Sequence, residues 1–342
     1  MRKHVELPLI EPVYSTYHYQ GTATAITANN PSIRNWCMNQ VMNLTCSRKF
    51  LSGFTTPKIN IVRSHWSANP YLDRSSVPTK FTKGYINPII REMLDKGYYV
   101  NFTGVDDYYV EGKSWYMQRH ASHDGLICGY DQEDKSYCIY AYDSNWVYRK
   151  FWTSQKGFNT GRIAMYQNGK IGTICAMKAK EDQVDFAPET AYAKIREYLD
   201  SSIEKYPFEG EEEDVFGIVV HQYIAEYISK LETGEIPYER MDRRVFRLIW
   251  EHKKIMLERI GLIEKCLDMD AAISEKYKPL VAEANTMRML YASHHMKRRD
   301  AVLPIIKRKL LTLMIDEQVL LTELVERMEQ KIKNETVEVS QK

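Results

Sequence analysis

Hydrophobic and polar positions change rhythm about midway along this chain of 342 residues. In the first half, aromatic and β-branched side chains come in short runs broken by polar turns, the pattern of strands. Such runs predict strands over 58–62, 98–104, 107–110, 126–130, 137–142, 146–151 and 171–177. The polar stretch Asp131-Gln-Glu-Asp-Lys135 separates two of them and predicts a hairpin loop. Helices are fewer here, over 22–28, 32–46 and 86–96; the last has Ile89/Ile90 and Met93/Leu94 one turn apart, with Gly97 as its stop.

From about Asp185 the apolar period becomes helical, beginning at Pro188, a residue a first helical turn tolerates. One stripe runs through Val245, Leu248, Ile249, His252, Met256, Ile260, Ile263 and Leu267, and another through Leu303, Ile306, Leu310, Leu313, Leu320, Leu324 and Met328. No strand is expected after 185, and the acidic run 209–214 reads as a solvated loop or a helix start. The pattern therefore predicts an α+β domain with an antiparallel sheet over 1–182, followed by an all-α helical bundle over 183–342.

Composition agrees with two globular parts, since the chain exceeds the length at which one core usually keeps growing. The 24 tyrosines are unevenly spread, 16 of them before residue 170 with five of the six tryptophans, which reinforces the placement of the sheet. With 47 basic and 45 acidic residues the charges nearly cancel, and the basic runs of the helical half are interleaved with glutamates. Neither feature pulls toward nucleic acid. No run of 18 apolar residues suggests a membrane span, and the polar, proline-broken N-terminus is unlike a signal peptide, so a cytoplasmic protein is expected. The six cysteines, at 37, 46, 128, 138, 175 and 266, form no Cys-x-x-Cys pair and no cluster with histidines. No metal, disulfide framework or other cofactor is expected.

The passage richest in chemistry is His120-Ala-Ser-His123-Asp-Gly-Leu-Ile-Cys-Gly-Tyr130-Asp131, followed after the turn by Tyr137-Cys-Ile-Tyr-Ala-Tyr-Asp143. Pairing the two strands through that turn puts His123 and Asp143 at the same end of the sheet. A carboxylate that accepts from one imidazole nitrogen fixes the tautomer and leaves the other nitrogen as a base. The plainer alternative makes His123 a strand-initiating residue and Asp143 the cap of a turn. The many tyrosines, Tyr142 among them, fit either a sheet surface or a cleft for an extended acyl or aromatic ligand.

The pattern His-x-x-Leu-Ile-x-Gly-Tyr-Asp followed by Tyr-x-Ile-Tyr-x-Tyr-Asp resembles the histidine and aspartate strands of papain-like cysteine peptidases of the bacteriocin-processing type. The layout over roughly 10–180 is similar to the butirosin biosynthesis protein H-like family, which includes amide synthetases of the closthioamide type. The resemblance implies a papain-like fold and acyl transfer from a carrier-protein thioester to an amine in natural-product assembly. In that mechanism a helix-start thiolate attacks, His123 shuttles the proton and Asp143 orients it. The family's nucleophilic cysteine belongs at the start of the first helix, where this chain reads Tyr17-His-Tyr-Gln-Gly-Thr-Ala23.

Ala23 or Thr22 then stands where the cysteine is expected, with Gln20, His18, Tyr19 and Tyr142 as neighbours able to polarise or hold a substrate. Three explanations stay open: a cysteine replaced at that position, Cys37 acting instead, or a catalytically silent protein that binds its ligand or a carrier protein. Hydrolysis of the same thioester, or of a peptide, is a further alternative.

Overall fold

The computed structural model describes residues 2–26, 30–52, 56–202 and 214–340. The elements run β1 (His4–Glu6), α1 (His18–Ala25), α2 (Pro31–Gln40), β2 (Leu44–Ser47), β3 (Ile59–Ile61), β4 (Leu72–Pro78), α3 (Ile86–Asp95), β5 (Tyr99–Asp106), β6 (Ser122–Asp131) and β7 (Ser136–Tyr142). They continue with β8 (Tyr148–Ser154), α4 (Gln155–Gln167), β9 (Thr173–Ala179), α5 (Pro188–Leu199), β10 (Asp214–Phe216), α6 (Val220–Glu232), α7 (Arg244–Cys266), α8 (Ala272–Lys297) and α9 (Leu303–Ser340). The class is α+β, with every strand pairing antiparallel. Among the described residues no helix is long and apolar enough to cross a membrane.

The chain divides into two compact units, residues 1–33 with 65–183, and residues 34–64 with 184–342. The longer segment of the second unit begins at 184. Residues 34–64, expected in the first domain, instead belong to the second unit, and the division falls inside α2.

The first unit is built on a seven-stranded sheet in the order β4-β9-β5-β6-β7-β8, with β1 added against β6. The Asp131–Lys135 turn does close a hairpin, with Tyr130 opposite Tyr137 and Asp131 opposite Ser136. Alternate side chains face opposite ways along a strand, and the two faces carry different helices. Leu126, Cys128, Cys138 and Tyr140 pack with Ala23 and Ala25 of α1 and with Ile26 just beyond it. Ile127, Ile139 and Ala141 pack with Ile86, Ile90 and Leu94 of α3 and Phe158 of α4.

Three expectations for the first half of the sequence change. The strand over 107–110 is a 3-10 turn, Asp107–Tyr109, because the Asp106 side chain accepts from the Tyr108 N–H at 3.2 Å and bends the chain. The helix over 32–46 ends at Gln40, and Leu44–Ser47 is a strand. The first helix starts earlier than expected, at His18, while the far end of the predicted 22–28 segment lies outside the described residues.

The second unit holds α5 to α9 and also a three-stranded sheet in the order β10-β2-β3. It is therefore not all-α, and Asp214–Phe216 is a strand where none was expected. Residues 209–213 of the acidic run lie outside the described residues.

Where the helices meet, Glu317 of α9 is fully buried and accepts from Lys253 Nζ at 2.6 Å, from the Tyr198 hydroxyl at 2.7 Å and from the Tyr277 hydroxyl. His221 Nε2 lies 3.9 Å from the same carboxylate, and its Nδ1–H donates to the Ile218 carbonyl at 2.8 Å. His252, drawn by its spacing onto the apolar stripe of α7, is buried there and its Nε2 meets the Met42 carbonyl at 2.8 Å.

Candidate functional site

At one end of the large sheet, β5 runs into the Asp107–Tyr109 turn and β6 begins beside it. Val105 pairs with His123 and Asp106 with Ser122, after a register shift between Phe102 and Val105. That shift, with Gly104 at φ +68, re-aims the strand end, as bulges do next to functional groups. The turn is held from behind by α4: a Cβ added to Gly161 would stand 2.7 Å from the Asp106 carbonyl oxygen, and one added to Gly157 would collide with the Tyr109 carbonyl. Only a helix with glycine at both positions approaches this closely.

The consecutive aspartates each take a histidine. Asp107 Oδ2 accepts from His123 Nδ1–H at 2.5 Å, and Asp106 Oδ2 accepts from His120 Nδ1–H at 2.7 Å. Asp107 is 3% exposed, and its other oxygen lies 3.7 Å from the buried ammonium of Lys113. Burial presses the Lys113 amine below its ordinary value, and the Asp107 charge opposes that. His123 keeps 36% of its side chain open to solvent, so the imidazole bridges a buried carboxylate and an accessible surface. With Nδ1 committed, Nε2 is the nitrogen left for proton transfer. Asp124, next along β6, is exposed by area but crowded by the sheet end, and desolvation, ahead of the Gly104 N–H hydrogen bond that opposes it, raises its carboxyl.

Asp143 is not the partner of His123. Continuing the Leu126–Tyr140 pairing by three residues does bring the two level, as the hairpin implied. The Asp143 carboxylate is nevertheless spent on its own turn, accepting from the N–H groups of Asn145 at 2.8 Å and Val147 at 2.9 Å and from the Arg149 guanidinium. It is a turn cap.

Neither residue expected at the helix start is found there. Thr22 and Ala23 lie inside α1, whose first residue is His18 after the Tyr17 cap. The ring that approaches His123 is His18, with centroids 6.5 Å apart, edge-on to Tyr142 at 5.3 Å and tilted against Tyr148 at 5.7 Å. Burial, then the charges of Lys113 and His123, hold His18 well below the ordinary histidine range, so the ring is neutral. Its Nδ1 is buried without a hydrogen-bond partner. The same holds for Thr22 Oγ1, one turn further on, and for the Tyr148 hydroxyl; these two oxygens are near enough to interact, but neither makes a hydrogen bond of good geometry.

The remaining predicted residues are accounted for locally. Gln20 Oε1 accepts from the Tyr17 N–H at 3.4 Å, Tyr19 stacks on Tyr17 at 5.2 Å and rests against His65 at 5.0 Å, and the Tyr142 hydroxyl donates to the Ser15 carbonyl at 2.6 Å. Cys37 belongs to the second unit, where burial pushes its thiol up to about 12, beyond use as a thiolate at neutral pH. Cys128 lies five residues further along β6, and Cys138 and Cys175 share its core cluster under α1, so none is placed as a nucleophile for His123. Among the described residues no cluster of three or more His, Cys, Asp or Glu could hold a metal.

Three residues escaped the sequence reading, Asp107, Lys113 and Tyr148. The pair Asp106-Asp107 ahead of two tyrosines was the available signal, since an aspartate before a polar-to-aromatic break turns the chain as readily as a strand continues it. No protein-family model matches this chain, and no curated protein does.

Proposed function

We propose that the protein activates a nucleophile by general-base catalysis at His123 for attack on an acyl thioester, without an acyl-enzyme intermediate. One observation carries the reading: a histidine oriented by a buried aspartate, partly open to solvent, with the buried His18 ring beside it whose Nδ1 has no hydrogen-bond partner. Buried polar groups are normally paired, so the unpartnered His18 Nδ1 is the atom available to a substrate's polar group, while Thr22 Oγ1 and the Tyr148 hydroxyl lie near enough to interact with each other. Asp107 holds Nδ1–H and supports the positive ring that forms when Nε2 takes the proton from an attacking amine. The leaving thiolate then recovers that proton. The carrier-bound thioester, the amine acceptor and a papain-like ancestry come from the resemblance of the two strands.

The absence of a cysteine beside His123 favours direct transfer over the covalent route of such peptidases. The desolvated His18 ring at the start of α1 favours a second reading, a catalytically silent protein that binds the acyl group or its carrier. The test supplies an acyl N-acetylcysteamine thioester with and without an amine. Direct transfer gives amine-dependent thiol release and amide product with no acyl adduct by intact-protein mass spectrometry, abolished in His123→Gln. Thioester binding without turnover leaves the silent reading; an acyl adduct overturns direct transfer.

A further inference from the structure

On the opposite side of the large sheet from α1, a cavity of about 460 Å³ opens between the start of α3, the turn before it and α4. Its size is that of a small-ligand pocket. Ile163 and Tyr166 of α4 form an apolar wall and remain 45% and 53% exposed. Phe81 and Tyr85, exposed at 72% and 77%, lie in the turns that carry the lining residues Lys80 and Gly84. Exposed aromatics grouped at a cavity mouth mark a ligand or partner surface more than an ordinary exterior.

The polar lining is one-sided in charge. Lys80 and Arg162 line the cavity, and among the described residues no carboxylate does. Arg162 is 8% exposed, and burial depresses its basicity, opposed by Tyr137. The neighbouring amides are directional: Asn87 Oδ1 accepts from the Tyr137 hydroxyl at 2.8 Å and from Asn159 Nδ2 at 2.9 Å, which leaves the Asn159 carbonyl oxygen buried without a partner. A dehydrated guanidinium beside an apolar wall suits an anion carried on an apolar body, because the planar fork pairs with a carboxylate through two parallel hydrogen bonds.

We infer that this cavity binds a small monocarboxylate with a medium-length alkyl or aryl body, its carboxylate at Arg162 and Lys80 and its body along Ile163 and Tyr166. None of the lining residues belongs to the His123 cluster, so the site stands whether or not the thioester reading does.

Titration calorimetry with octanoate, acetate and octanol tests it on the full chain. Octanoate should bind at least about tenfold more tightly than either control, the factor that one charge-assisted pair or a few buried methylenes contributes. Arg162→Gln should cost octanoate at least about tenfold. Because a buried arginine can matter to folding, Gly84→Leu gives an independent arm: a Cβ at Gly84 meets nothing within 4 Å, so the side chain can enter open space and occlude the cavity with the melting temperature unchanged. Octanol or acetate binding as well as octanoate, or octanoate binding unaltered in folded Gly84→Leu and Arg162→Gln, overturns the inference.

Discussion

Each unit of this molecule holds histidines against a carboxylate, and the two arrangements differ in what they leave unfinished. Around Glu317 the groups are fully buried, and four helices besides α9 supply Tyr198, His221, the pair His252-Lys253 and Tyr277 to one site. Around Asp107 the carboxylate is equally buried, but its histidine reaches solvent and polar atoms nearby lack partners. A buried ion pair with its hydrogen bonds made fixes how helices meet, and breaking one partner is costly. A half-open dyad contributes less to the fold and keeps a nitrogen for chemistry. Perturbed ionisation is present in both, so ionisation alone does not distinguish a core from an active site; openness and unmet hydrogen-bonding capacity do.

The comparison breaks first on activity. His123→Gln should reduce amide formation from a thioester by about 10²–10⁴-fold, the usual contribution of a positioned base, while changing unfolding free energy by less than about 1 kcal/mol. Loss of stability without loss of turnover would put this dyad in the same class as Glu317. The mirror experiment is Glu317→Leu, which strands the Lys253 ammonium and should cost about 3–5 kcal/mol in urea unfolding, with much of it recovered in Lys253→Met/Glu317→Leu. A tolerated single variant would mean that the network does not hold the helices.

Acidity sharpens the contrast next. Burial, then the Lys253 charge, holds His221 at about 3, and the same two causes hold His252 well below its ordinary value. Unfolded, both protonate near 6.5. The unfolded chain therefore binds more protons than the folded one below that pH, and stability falls as pH drops from 6.5 toward 3. At pH 5 His221 alone removes about 2 kcal/mol. Burial favours protonation of Glu317, but Lys253 and the two histidines outweigh it and bring the carboxyl to about 2. That adds a second loss between about 4.5 and 2, in the same direction. A melting temperature constant from pH 7 to 5 would contradict the burial of these rings. The smallest effect is expected from Cys37→Ala, about 1 kcal/mol of stability and no change in turnover; lost turnover would reinstate Cys37 as a nucleophile.

Much of the scaffold around the dyad was legible in the sequence. Alternation and a short polar turn were enough to pair β6 with β7 and to bring His123 to the sheet end, because period and loop length act locally. The identity of its partner was not, since Asp107-Tyr-Tyr-Val has the composition of a strand and becomes a turn only through the Asp106 side chain and the close approach of α4. Residues 34–64 were misassigned for a related reason. Nothing local marks where Leu44–Ser47 finds its partners, Ile59–Ile61 and Asp214–Phe216, and the latter is remote in sequence.

The glycines of α4 carry a consequence for inheritance. A side chain at the sheet end, such as His123 or His18, can be exchanged in a single step without moving the backbone that carries it. A residue with a Cβ at 157 or 161 would push the helix off the Asp106 and Tyr109 carbonyls and carry Asp107 with it. A lineage can therefore change the side chains at this sheet end more readily than it can change those two positions. Distant descendants of this unit should be recognisable by two small residues four apart following a strand, even where every histidine has been replaced.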